Sequence, residues 1–171
     1  MSTVRFIADL HLGHKNILKF AGDYRIGPTI HEHDWWLVRQ WNRVVTTRDF
    51  VWVLGDVAFD VEALDVLNYM NGTKGLILGN HDKFDLGVYR KYFKEIHGFK
   101  KRNGFWLSHA PMHPNELRGR PNIHGHIHQN IEVLDGDTRY IPVCVELCAG
   151  CPVSIDDIRN GVYKPLGEPN D

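Results

Sequence analysis

The sequence predicts an α/β fold in which mixed sheets carry flanking helices, and three observations lead there. Short β-branched and aromatic runs alternate with helical-period segments in the first half of the chain. Each of the first three runs stops at a Gly, Asp or Asn, as strands do where they pass into loops. The second half places further short runs close together, without long helices between them.

Val4 to Ala8 is the first strand, and its end delivers Asp9 and His11 into a loop. Thr29 and Glu32 have the spacing of a capping box, and Leu37, Val38, Trp41, Val44 and Val45 then recur at helical intervals, which predicts a helix from Ile30 to Val45. Phe50 to Leu54 is a continuous apolar run stopped by Gly55, as suits a strand buried on both faces, and Asp56 falls just past its end. Val61 to Met70 has helical spacing through Leu64 and Leu67, and Asn71-Gly72 ends it. Gly75 to Leu78 is a third strand, followed by Gly79, Asn80, His81 and Asp82. Beyond it the sequence predicts a short helix at Tyr89 to Ile96 and strands at Phe105 to Ser108, Asn122 to His124 and Arg139 to Val145. A closing helical turn follows at Ser154 to Ile158. The early strand-helix alternation implies parallel pairing; the later strands, closely spaced, imply antiparallel pairing.

A chain of 171 residues suits one domain, here 1–171, with a single substantial core. Its 43% apolar and 24% charged residues are those of an ordinary globular protein. A net charge of −1 demands neither nucleic acid nor an anionic membrane as partner. The first strand begins too early to leave room for a secretory leader, no apolar stretch is long enough to span a bilayer, and three cysteines make no fully paired disulfide framework, so a cytoplasmic location is expected. Cys144, Cys148 and Cys151 read as small buried residues, and Trp35, Trp36 and Trp41 as core packing or a contact surface.

Eleven histidines are present, most beside Gly, Asp or Asn in turn-like contexts. In open α/β sheets the active crevice lies outside the carboxyl ends of the strands, where this chain places Asp9, His11, Asp56, Asn80, His81 and His109. His124-Gly-His-Ile-His128 adds imidazoles from another loop. Such nitrogen and oxygen donors suit Mn, Fe, Zn or Ni, and the absence of cysteine disfavours a structural zinc site. His31, His33, His97 and His113 read as surface or loop residues, and His124 as structural or as a support behind the ligands.

Asp9-Leu-His11, Gly55-Asp56, Gly79-Asn80-His81-Asp82, His109 and Gly125-His126-Ile-His128 stand in the order of a known signature. By these blocks the sequence resembles the calcineurin-like metallophosphoesterases, in a compact bacterial and phage-type subgroup without a cap domain. The resemblance implies a four-layer α/β/β/α sandwich of two mixed sheets. It also implies two divalent cations, manganese first, with Fe, Zn, Ni or Mg as alternatives. Asp9, His11, Asp56 and His128 would hold one, and Asp56, Asn80, His109 and His126 the other, with Asp56 as the bridge. Two such cations outweigh the two carboxylates, and the surplus positive charge attracts phosphate and acidifies a bound water.

The implied reaction is hydrolysis of phosphodiesters or phosphomonoesters by metal-bridging hydroxide. Asp56 and His81 would be the catalytic residues, His81 serving the leaving oxygen, and His14, His81 and Asn80 would contact substrate. The arginine that follows the Gly-Asp block in the protein phosphatases of this superfamily is missing from Gly55-Asp56-Val-Ala-Phe59-Asp60, which disfavours a protein substrate. Phosphate contact then falls to the metals, His14, His81 or a base such as Lys83, Arg118 or Arg120. The expected partner is a phosphate ester, nucleotide and nucleic acid included, with no membrane. Two alternatives stand beside this reading: a nuclease or nucleic-acid end-processing enzyme, and a non-catalytic module of the same fold. Such a module should have lost ligands, whereas every expected ligand is present.

Overall fold

In the computed structural model, residues 2–166 are described, and two mixed sheets stack face to face with helices around them. The first sheet contains β1 (Val4–Ile7), β2 (Phe50–Val53), β3 (Thr73–Ile77) and β4 (Glu95–His97), all parallel, in the order β4-β3-β2-β1. The second contains β5 (Phe99–Arg102), β6 (Phe105–Ser108), β7 (Asn122–His124) and β8 (Tyr140–Pro142) in sequence order. β9 (Val153–Ser154) closes the first sheet, antiparallel to β1.

Alternation along the strands builds both cores. Phe6, Ala8, Trp52, Leu54 and Ile77 point one way and meet Phe105, Leu107, Ile123 and Val143 between the sheets. Ile7, Val51, Val53 and Leu76 point the other way, onto Trp36, Leu37, Val38 and Trp41 of a long helix and Leu64 and Leu67 of the next. A strand such as β2 is therefore apolar on both faces, as its sequence predicts.

The helices are α1 (Ile17–Phe20), α2 (Ile30–Val44), α3 (Leu86–Tyr89) and α4 (Ile155–Arg159). α2 starts where expected because Thr29 Oγ1 accepts the Glu32 N–H at 3.2 Å. Ser154 likewise caps α4 by accepting from Asp157 N at 3.0 Å. The predicted helix after Val61 forms as a tight 3-10 helix over Glu62–Tyr69. The outer face of the second sheet is tied down by the loop after β6, where Trp106 Nε1 donates to Leu117 O at 3.1 Å and Tyr140 Oη to Met112 O at 2.7 Å. That loop contains a short 3-10 turn, Pro114–Glu116.

Three expectations are corrected. The helix expected at Tyr89 to Ile96 is only Leu86–Tyr89, started by Asp85 accepting from Gly87 N at 2.6 Å, and the chain then extends as β4 to pair with the free edge of β3. The later strands are mostly parallel: β6, β7 and β8 run together, because the loops after Ser108 and His124 are long enough to return the chain to the same end. Antiparallel pairing in that sheet is confined to β5 and β6, joined at Asn103-Gly104 with φ of 53° and 93°, and β5 itself was not expected. The strand expected over Arg139 to Val145 is shortened to Tyr140–Pro142: Val143 N still donates to His124 O at 2.8 Å, and the chain then crosses to the first sheet, where Cys144 bridges Ala8.

Candidate metal centre

Parallel pairing of β1 with β2 brings Ile7 beside Val53, so the residues that follow each strand leave the sheet side by side. Asp9 N donates to Gly55 O at 3.0 Å and His11 N to Asp56 O at 3.0 Å, which locks the two loops together. Asp82 binds the third loop to them: its carboxylate accepts from Gly79 N at 2.8 Å and from Asp56 N and Val57 N at 2.9 Å. His109 follows β6, and His126 and His128 follow β7, from the facing sheet.

Five of the seven expected ligands sit in the left-handed region although none is glycine: Asp9 (φ 62°), His11 (51°), Asp56 (55°), His126 (73°) and His128 (52°). Each such residue costs on the order of 1–3 kcal/mol and persists only where its surroundings hold it. Gly125 is needed for the same closeness, since a Cβ there would stand 2.6 Å from Asp9 Oδ2.

Each carboxylate is held by one oxygen and free at the other. Asp9 Oδ2 accepts from His126 N and Asp56 Oδ1 from His81 N, both at 2.9 Å. The free Asp9 Oδ1 lies 3.9 Å from both His11 Nε2 and His128 Nε2. The free Asp56 Oδ2 lies 3.9 Å from His11 Nε2 and 3.4 Å from His109 Nε2. His109 Nε2 in turn is 2.8 Å from Asn80 Oδ1 and 3.1 Å from His126 Nδ1. All seven expected ligands are thus brought together.

These contacts make sense around cations. His109 Nδ1 must donate to Leu54 O at 2.8 Å, because a carbonyl only accepts, so in the neutral ring Nε2 turns a lone pair toward Asn80 Oδ1 and Asp56 Oδ2. Three acceptors meeting at one point repel unless a positive charge lies among them. Asp9 Oδ1 and His11 Nε2 are buried without a hydrogen-bond partner, a costly arrangement that a bound ion would relieve. Burial, aided by the Arg25 and His128 charges, pushes the His11 pKa down to about 2, so its imidazole is neutral and free to ligate. Burial raises the pKa of Asp9 against the opposing pull of His128 and His109, so this carboxylate lacks a full countercharge. Donor atoms of Asp9, His11 and His128 lie close enough together to hold a cation, as do those of Asp9, Asp56 and His109, and the nitrogens and oxygens of these two groups fit divalent first-row metals.

A buried network that the motifs do not contain lies beneath. Glu146 Oε1 accepts from His128 Nδ1 at 3.0 Å and from Arg25 Nε at 2.7 Å. Burial alone would lower the His128 pKa; the Glu146 hydrogen bond and the Asp9 and Glu146 charges outweigh it and raise it. Burial would raise that of Glu146, but Arg25 and His128 hold it down at about 2. Arg25 also donates to Asp9 O at 2.6 Å and Leu10 O at 3.0 Å, and its Nη1 is 3.3 Å from His33 Nε2. His33 Nδ1 then donates to Asp34 Oδ1 at 2.9 Å, and Asp34 Oδ2 accepts from Gly13 N at 3.0 Å. His33, expected at the surface, is fully buried, because the start of α2 packs onto the loop of Asp9 to Gly13. His97 lies at the surface as expected, though on β4 rather than in a loop, and contacts Glu95 at 3.2 Å. The one signal for Glu146 was a lone charge in the apolar run Val143 to Leu147.

A cleft of about 490 Å³ opens beside the centre, lined by His11, His14, Phe20, Phe59, His81 and His128 among others. His81 is exposed at its rim, 4.9 Å from the Phe59 ring and 6.0 Å from His11 by ring centroids. His14 stacks on Phe59 at 3.8 Å. Lys83, Arg118 and Arg120 do not line the cleft, and Arg118 pairs with Glu116 at 3.3 Å. His124 is buried and donates to Gly125 O at 2.8 Å, outside both donor groups as expected. No helix among the described residues is long and apolar enough to cross a membrane.

No family model matches the chain. A solved structure, that of a protein of unknown function from Aquifex aeolicus, superposes with a TM-score of 0.78 at 26% identity, over 94% of this chain and 99% of that one. The gene 66 protein of Mycobacterium phage L5 is 38% identical over 87 residues, which are 48% of this chain and 41% of the phage protein. An uncharacterized protein of Methanocaldococcus jannaschii is 32% identical over 175 aligned residues, 96% of this chain and 93% of its own length. On that likeness over nearly the whole of both sequences, the chain belongs to the family of the Methanocaldococcus protein.

Proposed function

We propose that the chain is a calcineurin-like, dinuclear-metal phosphoesterase acting on phosphodiesters or phosphomonoesters. One observation carries the reading: the free oxygen of Asp56 stands 3.9 Å from His11 Nε2 and 3.4 Å from His109 Nε2, near a nitrogen proposed for each of two cations. Asp9, His11, Asp56 and His128 would hold one cation and Asp56, Asn80, His109 and His126 the other. Manganese is the first choice for both, with Fe, Zn, Ni or Mg sharing the same donor chemistry. When bound, the pair supplies Lewis acidity and positive charge to match the charge that builds on the phosphate oxygens.

The chain's own residues do the rest. The backbone bonds to Asp9 Oδ2 and Asp56 Oδ1 fix where the free oxygens point, so little reorganisation is needed as the reaction proceeds. His81 at the rim donates a proton to the leaving oxygen. His14 and Asn80 contact the substrate beside it. Missing ligands would favour a non-catalytic module of this fold, but the full donor set supports the enzyme.

The test is hydrolysis of bis-p-nitrophenyl phosphate and p-nitrophenyl phosphate by protein supplied with manganese. Turnover that Asp56→Asn removes almost entirely supports the proposal; turnover that survives this substitution overturns it.

A further inference from the structure

The cleft beside the metal centre has an apolar wall that hydrolysis itself does not require. α1 presents Ile17 and Phe20, and Phe20 is 68% exposed, with Ala21 beside it. From Phe20 the rings run inward in sequence. Phe20 lies 6.3 Å from His14, His14 stacks on Phe59 at 3.8 Å and 10°, and Phe59 lies 4.9 Å from His81. The row starts at solvent and ends on the histidine placed at the leaving oxygen. No lysine or arginine lines the cleft among the described residues; its polar lining is imidazole and amide, from His11, His14, His81, His128, Gln129 and Asn130.

We infer that the wall receives the leaving group of the ester, and that this group carries a flat aromatic ring rather than a further phosphate, a sugar alone or a nucleic-acid strand. The inference rests on the proposed phosphoesterase centre and specifies its substrate. With phosphorus at the cations and the leaving oxygen at His81, the alcohol side of the ester extends over Phe59 and toward Phe20. A ring there continues a row of rings already stacked or tilted against one another and removes the exposed Phe20 face from water. A polyanion in the same place would lay charge against the faces of Phe20 and Phe59 with no lysine or arginine of the cleft lining to meet it.

Binding of phenylphosphonate and methylphosphonate to the manganese-loaded protein, followed by calorimetry, tests this without relying on turnover. Phenylphosphonate should bind about tenfold more tightly than methylphosphonate, Phe20→Ala should remove most of that preference, and Phe20→Tyr should keep it. Phe20 is exposed, so these variants should fold as the parent does. Equal affinities for the two phosphonates, or a preference indifferent to Phe20→Ala, overturn the inference; if p-nitrophenyl phosphate is still hydrolysed, the phosphoesterase reading stands without it. Tighter binding of decathymidylate than of phenylphosphonate, with steep salt dependence, overturns it in favour of a strand. Binding of neither phosphonate, together with no manganese-dependent hydrolysis, removes both readings.

Discussion

Glu146 accepts the Nδ1 proton of His128 at 3.0 Å and so turns Nε2, with its lone pair, toward Asp9 Oδ1 3.9 Å away. The same Glu146 oxygen takes the Nε proton of Arg25, whose other nitrogens hold the carbonyls of Asp9 and Leu10. One buried ion pair thereby orients His128, a proposed ligand from the second sheet, and the loop that follows β1. Carboxylates behind ligating histidines act in this way in many metal sites.

Glu146→Gln should weaken manganese binding by about tenfold to a hundredfold, the usual consequence of losing such support. It should also lower the melting temperature, since Arg25 is left buried without its countercharge. Metal titration followed by a thermal melt measures both effects, and unchanged affinity would contradict the role given to Glu146.

Asp82 holds loops rather than metal, since its carboxylate accepts the N–H groups of Asp56, Val57 and Gly79. Asp82→Ala should cost about 2–4 kcal/mol of stability in a urea titration, because three backbone donors lose their acceptor. Manganese affinity should fall with it, as Asp56 loses its support.

His81 should matter in proportion to how badly the leaving group needs a proton. His81→Ala should slow hydrolysis of phenyl phosphate by about a hundredfold, while p-nitrophenyl phosphate, whose leaving group departs as a stable anion, should slow much less. Equal losses on both esters would give His81 a role in binding instead.

Asp49 sets a pH dependence far from the cleft. Burial would raise its pKa, but hydrogen bonds from Thr46 N and Thr3 N, both at 2.8 Å, and the Arg5 charge lower it below 3.8. A carboxyl whose folded pKa is depressed stabilises the fold above its unfolded value and loses that contribution as pH falls through the folded one. Asp49→Asn should therefore lower stability near neutral pH and flatten the loss of stability below pH 3.8, as acid titration of the melting temperature would show.

The site was legible in the sequence because its donors stand directly after strands, and parallel pairing of β1, β2 and β3 places those ends together. β6 was legible as a short apolar run next to histidine, and Asn122–His124 as an extended step leading into the histidine cluster. β4 and β5 were not. β4 exists because β3 offers it an edge, a tertiary cause that overrides the helical pattern of its own residues, and β5 reads Phe-Lys-Lys-Arg, too polar to announce a strand. Arg25, His33 and Glu146 lie 121 residues apart at their ends and meet only once the fold has formed, so spacing held no trace of them.

The proposed chemistry depends on Asp56 serving two cations. Manganese titration by calorimetry, checked against metal content per chain, is the direct measurement. Two ions bound per folded chain, falling to one or none in Asp56→Asn with the melting transition retained, is the predicted result. A single ion in the parent protein, or two ions still held after Asp56→Asn, would contradict it.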